Sequence, residues 1–133
     1  MAVYFDTFVF MDLLSGNKEL ADKAEQYVRH QRGVVSSVLL TELSFHVARR
    51  KRSKASEIVF FVQSLNNIEI VPVDEEIAAL AGLLRAKYRK KIVKKLTYFD
   101  CIHLATAIQK GCNKFITGDR GFREISEIEM EIY

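Results

Sequence analysis

The sequence predicts an α/β fold, a three-layer sandwich in which helices cover both faces of a twisted, mainly parallel sheet of five strands. Short apolar runs of strand length alternate along the chain with helical patterns of about 10–15 residues, as connections between parallel strands require. The chain has 133 residues, of which 49% are hydrophobic and 28% charged, an ordinary globular composition. We therefore expect one domain that spans residues 1–133.

Each element has its own local signals. Asp74 is a good N-cap for the helix that follows it, and Gly33 and Gly111 end two other helices. Buried parallel strands read as short apolar runs, and Ala2-Val3-Tyr4-Phe5 is the first of them. The expected elements are strand 2–5, helix 7–15, helix 18–31, strand 34–36, helix 38–50, helix 53–65, strand 68–73, helix 75–90, helix 98–110, strand 114–117 and strand 128–132.

The two cysteines and the apolar runs bear on the compartment. Cys101 and Cys112 fall in or just beyond one helical pattern, where eleven residues rise by about 16 Å. A disulfide needs Cα atoms within roughly 4.4–6.8 Å, so we expect two free, buried thiols. The start of the chain shows no signal-peptide pattern, and no uncharged run approaches the ~20 residues of a membrane span. We expect a cytoplasmic protein without a membrane segment.

Charge is distributed unevenly along the chain. The formal net charge is +3, but residues 49–95 hold 12 basic and 5 acidic groups and the two flanking segments are mildly acidic. Such a basic segment indicates a polyanionic partner, and solvated helix faces are the alternative explanation.

Four carboxylates occupy unusual places. Asp6 and Asp119 follow the first and fourth strands, so they face one crevice if these strands are neighbours at the point where the strand order reverses. Asp100 lies within the apolar stripe of its helix, and Glu42 borders the stripe of another. Each has an ordinary alternative explanation, such as an N-cap, a turn or a pairing with a buried cation. Four clustered carboxylates need a counter-ion, and Mg²⁺ or Mn²⁺ suits their oxygens.

Four segments in order make the chain resemble a PIN domain, the nuclease fold of VapC-type toxins and of RNA-processing factors. The matching segments are Tyr4-Phe5-Asp6-Thr7, Ser37-Val-Leu-Leu-Thr41-Glu42, Tyr98-Phe99-Asp100-Cys-Ile-His-Leu-Ala105-Thr106-Ala107 and Phe115-Ile-Thr117-Gly-Asp119-Arg-Gly-Phe122. The resemblance implies an acidic quartet of Asp6, Glu42, Asp100 and Asp119, with hydroxyls from Thr117 and Thr7. Phe8 departs from the small polar residue common at its position, which puts one supporting hydrogen bond in doubt.

The resemblance implies metal-dependent hydrolysis of RNA phosphodiester bonds with Mg²⁺ or Mn²⁺. Asp6 and Asp100 are expected as direct metal ligands, with Asp119 at a second ion or its water. Glu42 is expected to orient water or contribute to the metal site, and Thr117 to bind phosphate or water. The implied role is the toxin of a toxin–antitoxin pair, with an antitoxin protein as partner. A processing nuclease without an antitoxin and a catalytically silent binding module are the alternatives.

Basic side chains next to the catalytic segments are candidate contacts to RNA phosphates: Arg120, Lys90, Lys91, Lys94 and Lys95. Their alternative role is to complement helix dipoles. The three histidines show no metal-ligand spacing, and His103 is expected off the apolar stripe, on the surface or behind the site. The apolar residues around Phe60 and Phe61 exceed what one helix face needs, which predicts a homodimer or partner surface.

Two other classes of function fit the sequence less well. A phosphoacceptor domain of the receiver type also gathers acids at strand ends, but it needs two adjacent acids near the first strand and a lysine after the last. The chain has neither of these features. It also lacks a Walker A motif and a Gly-x-Gly-x-x-Gly motif, so the sequence does not support a nucleotide cofactor.

Overall fold

The computed structural model describes residues 1–51, 55–90 and 95–133. It contains the expected alternation of strands and helices, with a 3₁₀ helix at Arg120–Glu124 where a loop was expected. The strands are β1 Val3–Phe5, β2 Gly33–Ser36, β3 Ile68–Val71, β4 Lys114–Thr117 and β5 Glu129–Ile132. The helices are α1 Thr7–Leu13, α2 Lys18–His30, α3 Val38–Lys51, α4 Ala55–Gln63, α5 Glu75–Tyr88 and α6 Tyr98–Gln109.

The sheet has the strand order β3-β2-β1-β4-β5, and all four strand pairs are parallel. The predicted five-stranded α/β fold is therefore confirmed, and its sheet is wholly rather than mainly parallel. β1 lies at the centre, paired with β2 on one side and β4 on the other. The crossovers that lead to β2, β3 and β4 each contain two α-helices, and these helices form the two outer layers.

Successive side chains of the central strands point alternately into two hydrophobic cores, one on each face of the sheet. Tyr4 and Phe115 point to the face covered by α5 and α6, whereas Phe5 and Ile116 point to the face covered by α1–α4. The rings of Tyr4 and Phe115 stack with centroids 5.1 Å apart. Because both faces of the central strands are buried, these strands are mostly apolar, whereas the edge strands β3 and β5 alternate glutamate with apolar residues.

Local signals start and end the helices as expected. The Asp74 carboxylate accepts the Ile77 N–H at 2.8 Å and caps α5. Asn17 caps α2 in the same way, accepting the Leu20 N–H at 3.2 Å. Gly111 follows α6 with a φ of +67°, a conformation that favours glycine.

Two further expectations concern the cysteines and the membrane. Cys101 and Cys112 are buried and free, as expected. Within the described ranges, none of the helices combines the length and apolar character needed to cross a bilayer.

Candidate active site

The candidate site lies at the carboxyl edge of the sheet, where β1 and β4 lie side by side. Asp6 directly follows β1, and Asp119 lies two residues beyond the end of β4. The expected adjacency of the first and fourth strands is confirmed, and the Asp6 N–H continues their pairing by donating to the Ile116 carbonyl at 3.0 Å. The order of the strands reverses here, which is where open α/β sheets bind ligands.

Asp6 is the buried carboxylate of the site, with only 5% of its surface exposed. It occupies the N-cap position of α1, but its side chain makes no cap hydrogen bond. The Thr117 hydroxyl instead donates to Asp6 Oδ2 at 2.7 Å. Burial raises the pKa of Asp6 from 3.8 to about 6, aided by the negative charges of Asp100 and Glu42 and opposed by His103 and Thr117.

Thr117 connects two of the candidate acids. Its hydroxyl donates to Asp6 and accepts the Asp119 N–H at 3.0 Å. The side chain is fully buried, and the expected contact of Thr117 with phosphate or water stays a prediction. Its position at the end of a central strand points the hydroxyl inward, where it fixes the neighbouring acids.

Glu42 reaches the edge from α3 and is held by two donors. The Thr7 hydroxyl donates to Glu42 Oε1 at 2.7 Å, and His103 Nε2 lies 2.5 Å from the same oxygen. Burial opposes ionisation of Glu42, but the hydrogen bond and charge of His103 and the hydrogen bond of Thr7 outweigh it and lower its pKa. Glu42 is therefore an ionised acceptor beside the largely buried Asp6.

Asp100 and Asp119 are held by local backbone groups. Asp100 forms a capping box with Thr97, in which Asp100 Oδ2 accepts the Thr97 N–H at 3.0 Å and the Thr97 hydroxyl accepts the Asp100 N–H at 3.1 Å. Asp119 Oδ1 accepts the Gly121 N–H at 2.8 Å and caps the 3₁₀ helix. The expected burial of Asp100 in the apolar stripe is wrong, because the first turn of α6 leaves this side chain partly exposed.

Phe8, the position that departs from the family pattern, lies against the loop after β4. Its ring is 39% exposed. A Cβ added at Gly118 would come within 2.6 Å of this ring and 3.1 Å of Asp12 Oδ2. A side chain at 118 would therefore collide with the Phe8 ring, which explains the glycine at this position.

The expected phosphate contacts lie on the surface or outside the described residues. Arg120, Lys90 and Lys95 are exposed, whereas Lys91 and Lys94 lie outside the described residues. Arg85, Arg89 and Lys95 line one basic pocket together with Tyr98, at the start of α6. The Arg85 guanidinium lies over the Tyr98 ring, 4.1 Å from its centroid. The pocket therefore gathers three basic side chains around Tyr98, which precedes Asp100 by two positions in the sequence.

An aromatic groove adjoins Glu42 on the other side. It has a volume of about 580 Å³ and is lined by Met11, Thr41, Glu42, Phe45, His46, Arg49 and Phe99. Phe45 is 67% exposed, and the Arg49 guanidinium lies 5.5 Å from its ring centroid. The Arg49 guanidinium leaves much of the Phe45 side chain exposed. Phe45 and Phe99 therefore offer exposed aromatic surface beside Glu42.

Sequence reasoning missed the position of His103. The interpretation that it points off the apolar stripe of its helix is wrong, because it is fully buried. At 3.6 residues per turn, His103 lies only about 40° around the helix from Ala107, a member of that stripe. This angular position on the helix was the signal in the sequence that could have identified His103 as buried. The wheel does not identify its partners Tyr4 and Glu42.

The family model of the PIN domain matches residues 3–128 of the chain. The chain belongs to the PIN domain family. The predicted resemblance is thereby confirmed, and PIN-domain nucleases generally depend on divalent metal ions. A search of curated proteins finds none that matches this chain.

Solved structures of toxin–antitoxin proteins share this PIN fold. VapBC2 from Rickettsia felis, bound to a DNA fragment from its promoter, is 18% identical, with a TM-score of 0.76 over 100% of this chain and 99% of that one. FitAcB from Neisseria gonorrhoeae is 22% identical, with a TM-score of 0.72 over 98% and 96%. VapC20 from Mycobacterium tuberculosis, a toxin that cleaves the sarcin–ricin loop, is 15% identical, with a TM-score of 0.73 over 96% and 98%.

The chemistry of the PIN-domain acids fits a hard divalent cation. Asp6 is a buried carboxyl beside two other negative charges, and its raised pKa reflects burial without a neighbouring cation strong enough to offset it. Among the described residues, no three His, Cys, Asp or Glu side chains form a ready-made metal cluster. Mg²⁺ keeps several waters and commonly uses only one or two carboxylates, so Asp6 with one further acid is a suitable donor set.

Proposed function

We propose that this PIN domain is a divalent-metal-dependent endoribonuclease and the toxin of a toxin–antitoxin pair. The observation that carries the proposal is the buried Asp6 at the β1–β4 edge, whose pKa is raised by burial and by the negative charges of Asp100 and Glu42. A buried carboxylate among like charges costs stability, so its presence indicates a cationic ligand. Mg²⁺ or Mn²⁺ is the proposed ion.

Each acid has a proposed part in the reaction. Asp6 and Asp100 would hold the divalent ion, Asp119 would contribute a further carboxylate, and Glu42 would accept a hydrogen bond from the attacking water and so orient it. The ion supplies charge that polarises the scissile phosphate and makes water more acidic. Thr117 keeps Asp6 and Asp119 in place through its two hydrogen bonds.

The two surfaces beside the acids support a single-stranded RNA substrate. The basic pocket of Arg85, Arg89 and Lys95 suits backbone phosphates, which supply affinity without sequence choice. Phe45 and Phe99 in the aromatic groove suit the faces of unpaired bases, which stack on aromatic rings and arginine planes. Thr7, exposed Arg120 and the lysines at 90, 91, 94 and 95 remain candidate contacts of the same kind.

The toxin role and the homodimer rest on likeness and on exposed apolar surface. Several of the similar structures are toxin–antitoxin complexes, and their chains match this one over almost their full length. Phe60 is 73% exposed and Phe61 37% exposed on α4, as an interface between copies requires. The test of the toxin role is growth arrest on induction, relieved by the protein encoded immediately upstream.

A cleavage assay tests the nuclease. Purified chain is incubated with single-stranded RNA of mixed sequence in Mg²⁺, Mn²⁺ or EDTA, with Asp6→Asn and Asp74→Asn alongside. We expect cleavage by the unchanged chain and by Asp74→Asn, since asparagine also caps a helix, and a loss of about 10²–10³-fold for Asp6→Asn. Equal cleavage by Asp6→Asn, or cleavage in EDTA, contradicts the mechanism.

A further inference from the structure

His103 is a fully buried polar side chain at the centre of a hydrogen-bonded chain of side chains. It lies on α6, and its two ring nitrogens face different partners. Nδ1 lies 2.5 Å from the Tyr4 hydroxyl, whereas Nε2 lies 2.5 Å from Glu42 Oε1 and 2.9 Å from the Thr7 hydroxyl oxygen. The Tyr4 ring meets the imidazole edge-on at a centroid distance of 5.7 Å, so packing as well as hydrogen bonding fixes the ring.

The partners of Tyr4 determine where the histidine proton lies. The Ser36 N–H donates to the Tyr4 oxygen at 3.0 Å, so the tyrosine hydroxyl proton is left to donate to another acceptor. His103 Nδ1 is the acceptor within reach. When Nδ1 accepts, Nε2 carries the ring proton and donates it toward Glu42 Oε1. Burial opposes a charged ring, but Glu42 and Asp6 raise the pKa of His103, and a ring protonated on both nitrogens also donates to Glu42 from Nε2.

The two oxygens of Glu42 are used differently as a result. Oε1 receives the His103 donor at 2.5 Å and the Thr7 hydroxyl at 2.7 Å. Within the described ranges, Oε2 accepts no side-chain or backbone hydrogen bond, and 29% of the Glu42 side chain is exposed. One oxygen is therefore held by the protein interior, and the other has no protein donor among the described residues.

We propose that His103 is a positioning residue that holds Glu42 Oε1 and thereby presents Glu42 Oε2 to the water or cation at the acidic edge. The proposal rests on the proposed nuclease function, because it assigns a purpose to the orientation of Glu42 in that reaction. His103 itself does not touch the substrate. Groups that orient ligands in this way typically contribute 10–100-fold to activity or metal affinity, as an order of magnitude.

A matched pair of substitutions separates positioning from packing. A glutamine side-chain amide nitrogen reaches the position of Nε2, whereas an asparagine amide nitrogen reaches only that of Nδ1. His103→Gln keeps a donor to Glu42, and His103→Asn keeps a group near Tyr4 but loses that donor. We expect His103→Gln to retain most of kcat and His103→Asn to lose roughly 10–100-fold in kcat with KM little changed.

Thr106→Val on the same buried helix serves as a control for general damage to α6. Its hydroxyl donates to the Ile102 carbonyl of its own helix at 2.7 Å, so we expect unchanged kcat. Equal kcat for His103→Gln and His103→Asn overturns the proposal. Where either variant fails to fold, Tyr4→Phe replaces it: the aromatic ring stays, the donor to Nδ1 is lost, and kcat is expected to fall while KM stays the same.

A spectroscopic measurement tests the proposal without any activity. Two-bond ¹H–¹⁵N correlation spectra of chain labelled with ¹⁵N-histidine report which ring nitrogen carries the proton. We expect a proton on Nε2 of His103 in the metal-free protein and a changed Nδ1 signal in Tyr4→Phe. A ring protonated on Nδ1 alone overturns the positioning proposal.

The two experiments keep this inference apart from the nuclease proposal. Absence of cleavage by the unchanged chain contradicts the nuclease and leaves the spectrum as the test of His103. Cleavage that depends on Asp6 but is the same in both His103 variants supports the nuclease and removes His103 from it.

Discussion

The four candidate acids form two pairs that the chain holds in different ways. Asp6 and Glu42 are fixed by side chains far away in sequence: Thr117 is 111 positions from Asp6, and His103 is 61 positions from Glu42. Asp100 and Asp119 accept backbone N–H groups within three residues of themselves. The first pair is buried or partly buried in the assembled sheet edge, and the second caps the elements that carry it.

Two acids of the site are thus oriented by local helix caps, and the other two are oriented by tertiary contacts. Asp100 and Asp119 are oriented as soon as their own helical turns form, because a cap is a local interaction. Asp6 and Glu42 are oriented only when β1, β4, α3 and α6 have come together. The long-range pair therefore reports on the integrity of the whole edge, and it bears the electrostatic cost of burial.

The largest expected effect is on the buried carboxyl. The folded-state pKa of Asp6 is raised from 3.8 to about 6, so the folded chain binds this proton more tightly than the unfolded chain does. Stability from this group is therefore present below pH 3.8 and lost as the pH rises through about 6. In EDTA at pH 8, Asp6→Asn should gain about 3 kcal/mol at most, from a shift of about two pKa units.

Urea unfolding of the two chains across pH 4–8 measures this effect. The gain should shrink as the pH falls below 6 and be small near pH 4, where Asp6 is protonated in the folded chain and about half protonated in the unfolded chain. Asp100→Asn is the matched control from the locally held pair, and it should gain little because that side chain is partly exposed. A gain that is independent of pH argues against burial of the Asp6 charge as its cause.

A smaller effect is expected from Thr117→Val, which removes a hydroxyl but keeps the shape. Asp6 Oδ2 loses a donor and the Asp119 N–H loses an acceptor, so both pairs lose a contact at once. We expect a loss of about 1–3 kcal/mol in the free energy of unfolding. The comparison is Thr106→Val, whose hydroxyl bonds within its own helix and whose loss should be within about 0.5 kcal/mol.

The same urea measurement checks Thr117→Val, with RNA cleavage as a second readout. Cleavage should fall as well, because two acids lose their fixed positions. If Thr117→Val and Thr106→Val destabilise equally, Thr117 acts as an ordinary core residue.

The smallest effect is expected from the local pair. Thr97→Ala breaks the capping box of Asp100 and should cost about 1 kcal/mol. Asp74→Ala removes the corresponding cap of α5, away from the acids, and should cost about the same. Cleavage should fall only for Thr97→Ala, because only that cap orients a candidate ligand.

Thermal unfolding and cleavage rates together decide this comparison. Equal loss of cleavage in the two cap variants would mean that reduced stability, and not the position of Asp100, lowers the rate.

Much of the fold could be predicted because its signals are local. Apolar runs, the Asp74 cap and the glycines at 33 and 111 mark strands and helix ends within a few residues. The alternation of strands and helices then leaves few topologies, since parallel crossovers are right-handed. The 3₁₀ helix after Asp119 was missed, because a Gly-Asp-Arg-Gly stretch indicates a turn without specifying its hydrogen bonds.

The degree to which each candidate side chain is buried was harder to predict. Helical periodicity gives the face on which a residue lies but not how far the packing reaches along the helix. Asp100 and His103 share a stripe on α6, yet the first turn leaves Asp100 partly exposed and the next turn buries His103 completely. Position along the helix, which depends on where α6 docks on the sheet, makes this difference.

The sequence by itself determined the elements, the family pattern and the four acids at the ends of strands and helices, because each depends on neighbours close in the chain. The tertiary structure alone decided which oxygens are held and by what. Tyr4 reaches His103 across 99 positions, and Thr117 reaches Asp6 across 111. Hydrogen bonds over such separations exist only once the sheet has brought β1, β2, β4 and α6 together, and no local pattern encodes them.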